Sequence, residues 1–136
     1  LAPGAPIGTI HDILVQNVSG KAENSIRVSG SAQSRVRNVT LDNVKVTFDR
    51  WTKYPGGVYD NRPTTAIDGI ETHDTVGITL RHADNITLKN CTVQWGANPP
   101  DYFTHALQAE DVTGLKNVGF KGVAAHPGKD QAIVAG

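Results

Sequence analysis

Asn85-Ile86-Thr87-Leu88-Lys89-Asn90-Cys91 repeats a pattern already present in Asp12-Ile13-Leu14-Val15-Gln16-Asn17-Val18 and Asn38-Val39-Thr40-Leu41-Asp42-Asn43-Val44. Asn117-Val118-Gly119-Phe120-Lys121-Gly122-Val123 is a looser fourth copy. The common order is apolar, any, apolar, any, Asn or Gly, apolar. Between the copies lies a second short segment: Ser25-Ile26-Arg27-Val28-Ser29-Gly30, Gly77-Ile78-Thr79-Leu80, His105-Ala106-Leu107-Gln108-Ala109 and Gln131-Ala132-Ile133-Val134-Ala135. Apolar residues at every second position, bounded by Asn, Gly, Ser and Asp, indicate strands, and no stretch predicts a long helix. Strands this short bury their apolar side only by stacking on their counterparts. The expected fold is all-β, a parallel β-helix (solenoid) of about four coils.

The copies start at Ile13, Val39, Ile86 and Val118, so the intervals are unequal, each a minimal coil plus insertions. A coil must turn sharply after its strand, and Asn tolerates positive φ better than most residues. Gly122 is the expected replacement in the fourth copy. Asn17, Asn43 and Asn90 are expected to stack and to hydrogen-bond along the axis. The Asn-x-Ser/Thr sequences at Asn17, Asn38, Asn85 and Asn90 fall inside the strands, which favours this role over glycosylation on a surface loop.

Composition sets outer limits. The chain has 136 residues, 13 Lys plus Arg balanced by 13 Asp plus Glu, one Cys and no Met. This describes one soluble domain, residues 1–136. Zero formal charge leaves no basic footprint for nucleic acid. No apolar run approaches the roughly 20 residues that span a bilayer, so no membrane partner is expected. Cys91 has no partner for a disulfide and sits at a core position of the repeat, where a thiol behaves as a small hydrophobe. Without Met, translation cannot start within these residues, so the chain is expected to be a piece of a longer one.

Two insertions interrupt the repeat, near 49–75 and 95–104. They hold both Trp and all three Tyr. Long loops on a solenoid tend to share one face and to carry binding chemistry. Aromatic rings stack on sugar faces, Arg and Lys pair with carboxylates, and Asp accepts from hydroxyls. The candidate substrate-binding residues are Arg50, Trp51, Lys53, Tyr54, Tyr59, Asp60, Arg62, Trp95, Tyr102 and His105; packing of the loops onto the flank is the competing role for their rings.

Coils of the Asn-Ile-Thr-Leu-Lys-Asn-Cys-Thr-Val type (residues 85–93) resemble the right-handed β-helix of pectin-degrading enzymes, in particular the polygalacturonases of glycoside hydrolase family 28. The segments 50–63 and 95–107 resemble the C-terminal coils of bacterial members. The resemblance implies a secreted or periplasmic protein and a uronate-containing polysaccharide as partner. The family's catalytic Asn-Thr-Asp and Asp-Asp segments and its Gly-His-Gly segment are absent, and Ile26-Arg27-Val28 is a faint echo of its Arg-Ile-Lys. No catalytic residue is therefore carried over. These coils are expected to follow the catalytic ones and to supply binding loops and stability.

Inverting hydrolysis needs two carboxyl groups about 6.5 to 9.5 Å apart, one of them raised in pKa. Asp68, Glu71, His73 and Asp74 form the richest local group, but Asp caps turns throughout such a fold. Glu110 and Asp111, at a strand end, read the same way. His11, His73, His82, His105 and His126 lack ligand spacing. Asp101, Glu110 and Asp111 suit calcium only by donor type. No metal or cofactor is expected. A structural attachment β-helix of the tailspike or adhesin kind is the first alternative, and a small lyase or epimerase the second. Exposed coil ends leave room for self-association.

Overall fold

The β-branched and leucine-rich alternation folds as strands throughout the computed structural model, which describes residues 10–50, 58–60, 70–72 and 74–135. Among these are β1 (His11–Ala22), β2 (Ile26–Ser29), β3 (Val36–Phe48), β4 (Val58–Asp60), β5 (Ile70–Thr72), β6 (Ile78–Lys89), β7 (Thr92–Trp95), β8 (Leu107–Thr113), β9 (Lys116–Val118) and β10 (Ile133–Ala135). The fold is all-β, with no helix among the described residues.

The main sheet is parallel and runs β1-β3-β6-β8-β10. Its registers sort the strands into three columns. In the first, Ile26, Ile78, Leu107 and Ile133 stack in that order. In the second, Val15, Leu41, Leu88 and Asn117 stack. In the third, Ala22, Phe48 and Trp95 stack. The third column was not expected, because β1 and β3 are continuous for 12 and 13 residues and pass through the asparagine bend instead of ending there.

Those bends are residues in the left-handed region. Asn17, Asn43, Asn90 and Gly119 form one column of them, with φ of 56°, 55°, 52° and 72°. Asp12, Asn38, Asn85 and Gly114 form another, at 57°, 56°, 57° and 64°. Amides bond along both: Asn43 Nδ2 donates to Asn17 Oδ1 at 2.8 Å, Asn38 Nδ2 to Asp12 Oδ1 at 2.9 Å, and Asn85 Nδ2 to Asn38 Oδ1 at 2.7 Å. The fourth copy corrects the expected alignment. Thr87 pairs with Lys116, so the counterpart of Ile86 is Leu115 and the turning glycine is Gly119, not Gly122. Added bulk at Gly119 would lie 2.7 Å from Asn90 Oδ1, which is why glycine stands there.

The inward positions make one core of Val39, Leu41, Phe48, Ile78, Leu80, Ile86, Leu88, Phe103 and their neighbours. Cys91 is fully buried in it, as expected, with its thiol donating to Leu41 O at 3.2 Å. Burial pushes this thiol up from its ordinary pKa. The end layers are less covered. Ile10, Ile13 and Val18 are exposed along an open apolar cavity of about 430 Å³, and Leu14 is exposed elsewhere on β1.

Candidate polar groove on the first column

Outward side chains of the first column alternate with the core residues and are polar: Arg27, Thr79 and Gln108 stack in register, as do Ser29, Arg81 and Glu110. With Asp74, Thr104 and His105 they line a groove of about 350 Å³. Strand pairing makes this site from β2, β6 and β8, segments far apart along the chain, which no local motif reveals.

Both long insertions are anchored beside it. Phe48 and Trp95 are paired neighbours at the ends of β3 and β7, and the chain returns through the paired residues Thr75 and Phe103. Gly77 N then donates to His105 O at 2.9 Å, and Ala106 N to Ala132 O at 2.9 Å. The departure and return points of the insertions thus coincide from layer to layer, and Asp74, Thr104 and His105 enter the groove as the chain returns.

Apart from the buried Thr104, the groove's polar groups are at least partly exposed to solvent. Arg81 Nε lies 3.6 Å from Glu110 Oε2, with both side chains about half exposed. Such a pair contributes little to stability and can exchange its partner for a ligand. His105 Nδ1 donates to Gln131 O at 2.6 Å, since a carbonyl oxygen only accepts. That bond orients the ring. Guanidinium, carboxylate, amide and hydroxyl groups on one surface match the donors and acceptors of a carboxylated sugar chain.

A tighter ionic cluster closes the turn next to the groove. Arg35 Nε donates to both Asp84 oxygens at 2.9 and 3.0 Å, and its Nη1 donates to Asp111 Oδ2 at 2.6 Å. His82 Nδ1 meets the same Asp111 oxygen at 2.6 Å, and Thr113 Oγ1 donates to Asp84 at 2.6 Å. His82 and Asp111 are themselves left-handed, at φ of 51° and 52°. The Arg35 guanidinium and the Thr113 hydroxyl hold Asp84 down to about 2. His82 and Arg35 likewise hold Asp111 below the carboxylate range. Two carboxylates kept ionised cannot supply the raised-pKa acid that glycoside hydrolysis needs. This cluster is a clamp across layers.

The residues expected from the sequence are dispersed. His105 lies in the groove. Arg50 is mostly buried and pairs with Glu23 at 3.4 Å. Trp95 packs at 5.6 Å from Phe48 and 5.5 Å from Phe103, and its Nε1 donates to Val123 O at 2.8 Å. Tyr102 stands edge-on to Phe103 at 5.3 Å. Tyr59 and Asp60 are on β4, which pairs antiparallel with β5 so that Tyr59 is opposite Glu71 in register. The insertion near 49–75, expected as a long loop, therefore contains a strand pair. Trp51, Lys53, Tyr54 and Arg62, with Asp68 and His73, lie outside the described residues. Among the described residues no group of three or more His, Cys, Asp or Glu is placed to hold a metal ion.

Arg27, Thr79, Arg81 and Gln108 are absent from the sequence-based set, and Glu110 reads there as a turn residue. Their signal is the polar half of the second strand pattern, residues that alternate with Ile26, Ile78, Leu80 and Leu107. Comparison of the chain with protein-family models, curated sequences and solved structures finds no match among them.

Proposed function

We propose that the three columns wind as a right-handed parallel β-helix of four coils, and that this chain is the carbohydrate-binding C-terminal part of a secreted polygalacturonase-type glycoside hydrolase. The observation that carries the reading is the groove of Arg27, Arg81, Glu110, Asp74 and His105 beside the anchored insertions. Constant parallel register and left-handed bends in columns support the winding. The open apolar cavity at β1 supports further layers stacked on it within a longer protein. In this reading the chain contributes binding surface, and the acid and base pair belongs to other coils.

Affinity electrophoresis in gels containing polygalacturonate tests this. The chain is expected to be retarded, to release no reducing ends, and to be retarded less when Arg81→Gln removes a guanidinium from the groove. Hydrolysis by the chain alone would overturn the non-catalytic part. Retardation unaffected by Arg81→Gln would overturn the groove as the binding surface.

A further inference from the structure

Away from the groove, the bend between the second and third columns carries a second polar surface. Its two shallow troughs, of about 260 and 320 Å³, share Asn43 and Lys45 and so form one trough. The larger is lined by Asn43, Lys45, Asn90, Thr92, Gly119 and Lys121. No carboxylate lines either part. Lys45 pairs in register with Thr92, and Thr92 with Lys121, so the two ammonium groups project from alternate layers. At the usual strand spacing they arise about 10 Å apart. Both are exposed, and neither forms an ion pair among the described residues.

The trough owes its shape to the turn chemistry. Gly119 has no side chain over the Asn90 amide, and Asn43 is held by its bond to Asn17. The nearest carboxylate in sequence, Asp42, accepts a hydrogen bond from Gln16 at 3.1 Å. The two parts together offer two positive charges, three amides and two hydroxyls across the layers, with Val18 the one apolar side chain among them.

We propose that this trough is a second binding site for an acidic polysaccharide, its carboxylates pairing with Lys45 and Lys121 and its hydroxyls with Asn43, Asn90 and Thr92. The occupant follows from charge complementarity: ammonium groups on alternate layers fit carboxylates that recur along an extended chain, and the intervening amides and hydroxyl fit sugar hydroxyls. The site is separate from the groove on the first column, although it takes the same class of ligand. Each exposed pair is individually weak, so the strength comes from repeated charges on one polymer.

The test is affinity electrophoresis of the 136-residue chain in polygalacturonate, with Lys45→Gln/Lys121→Gln, Arg81→Gln and the three changes combined. Removal of both lysines is expected to weaken binding about fivefold at low salt, from two exposed pairs, with the thermal midpoint unchanged. Adding Arg81→Gln should weaken it further. If the lysine variant binds like the parent while Arg81→Gln does not, the trough is overturned and the groove reading stands. If only the lysine variant loses binding, the trough stands and the groove reading falls. An equal lysine-dependent loss on duplex DNA would overturn the assignment to a carbohydrate, as would the absence of any binding to polygalacturonate.

Discussion

Truncating isoleucine at two places in one stack tests the layered packing directly. Ile13, Val39 and Ile86 are in register, but Ile86 is fully buried while Ile13 is 37% exposed at the open edge. Ile→Ala removes three carbons, worth about 0.8 kcal/mol each when fully buried, so about 2.4 kcal/mol of transfer free energy is lost at Ile86. The hole left there is enclosed by neighbours, and residual cavity adds about 1 kcal/mol or more. Ile86→Ala should therefore cost about 3.5 kcal/mol. At Ile13 the transfer loss scales down to about 1.5 kcal/mol, and solvent fills the gap without a cavity term. Urea titration of both variants measures the difference, expected at about 2 kcal/mol with the same slope. Equal losses would refute the reasoning, since they would mean that the β1 edge is as enclosed as the middle of the stack.

Three other perturbations probe separate features. Gly119→Ala, at φ 72° with its new methyl 2.7 Å from Asn90 Oδ1, should destabilise by about 1 to 3 kcal/mol, whereas Gly20→Ala, with open space around it, should be near neutral in the same denaturant assay. Asp84 is held at about 2 against an ordinary 3.8, so between these values the unfolded chain takes up protons first; its contribution is complete above about pH 4 and disappears as pH falls toward 2. Thermal midpoints measured from pH 5 to pH 2 should therefore fall less steeply in Arg35→Gln than in the parent, and parallel curves would dismiss the clamp. Cys91 should resist a thiol-specific reagent at pH 8 in the native chain and react fully in urea, with rapid native labelling as the contrary result.

The fold was legible where chemistry and spacing coincided. Asn17, Asn43 and Asn90 follow the same two apolar residues in each copy, and the left-handed bend that such a position requires is what they adopt. Asp12, Asn38 and Asn85 begin the same quoted segments and make an equal bend, which the sequence hides because a turn is expected only where a segment ends. The fourth copy was misaligned for a related reason. Asn117-Val118 imitates Asn85-Ile86, whereas the true counterpart, Gly114-Leu115, has exchanged its asparagine for the other residue that suits positive φ. Apolar alternation alone cannot decide between the two, since both offer a branched residue for the inward position.

The groove was illegible for a deeper reason. A parallel stack turns distance along the chain into contact, so Arg27 lies beside Thr79 and Arg81 beside Ser29 although all of β3 and the insertion near 49–75 intervene. Each strand shows only one outward polar residue between two core residues, which in isolation is the ordinary mark of a solvated face. The aromatic loops stand out in the sequence because their residues are close together, and the parts that are described have a packing role, with Trp95 between Phe48 and Phe103. Arg35 shows the same effect in its strongest form. Its partners Asp84 and Asp111 are on β6 and β8, and the register that joins them must be known before any of the three can be read as a cluster. In this architecture the register is the site's information, and a repeat alignment correct to the residue locates outward chemistry that a search for local motifs passes over.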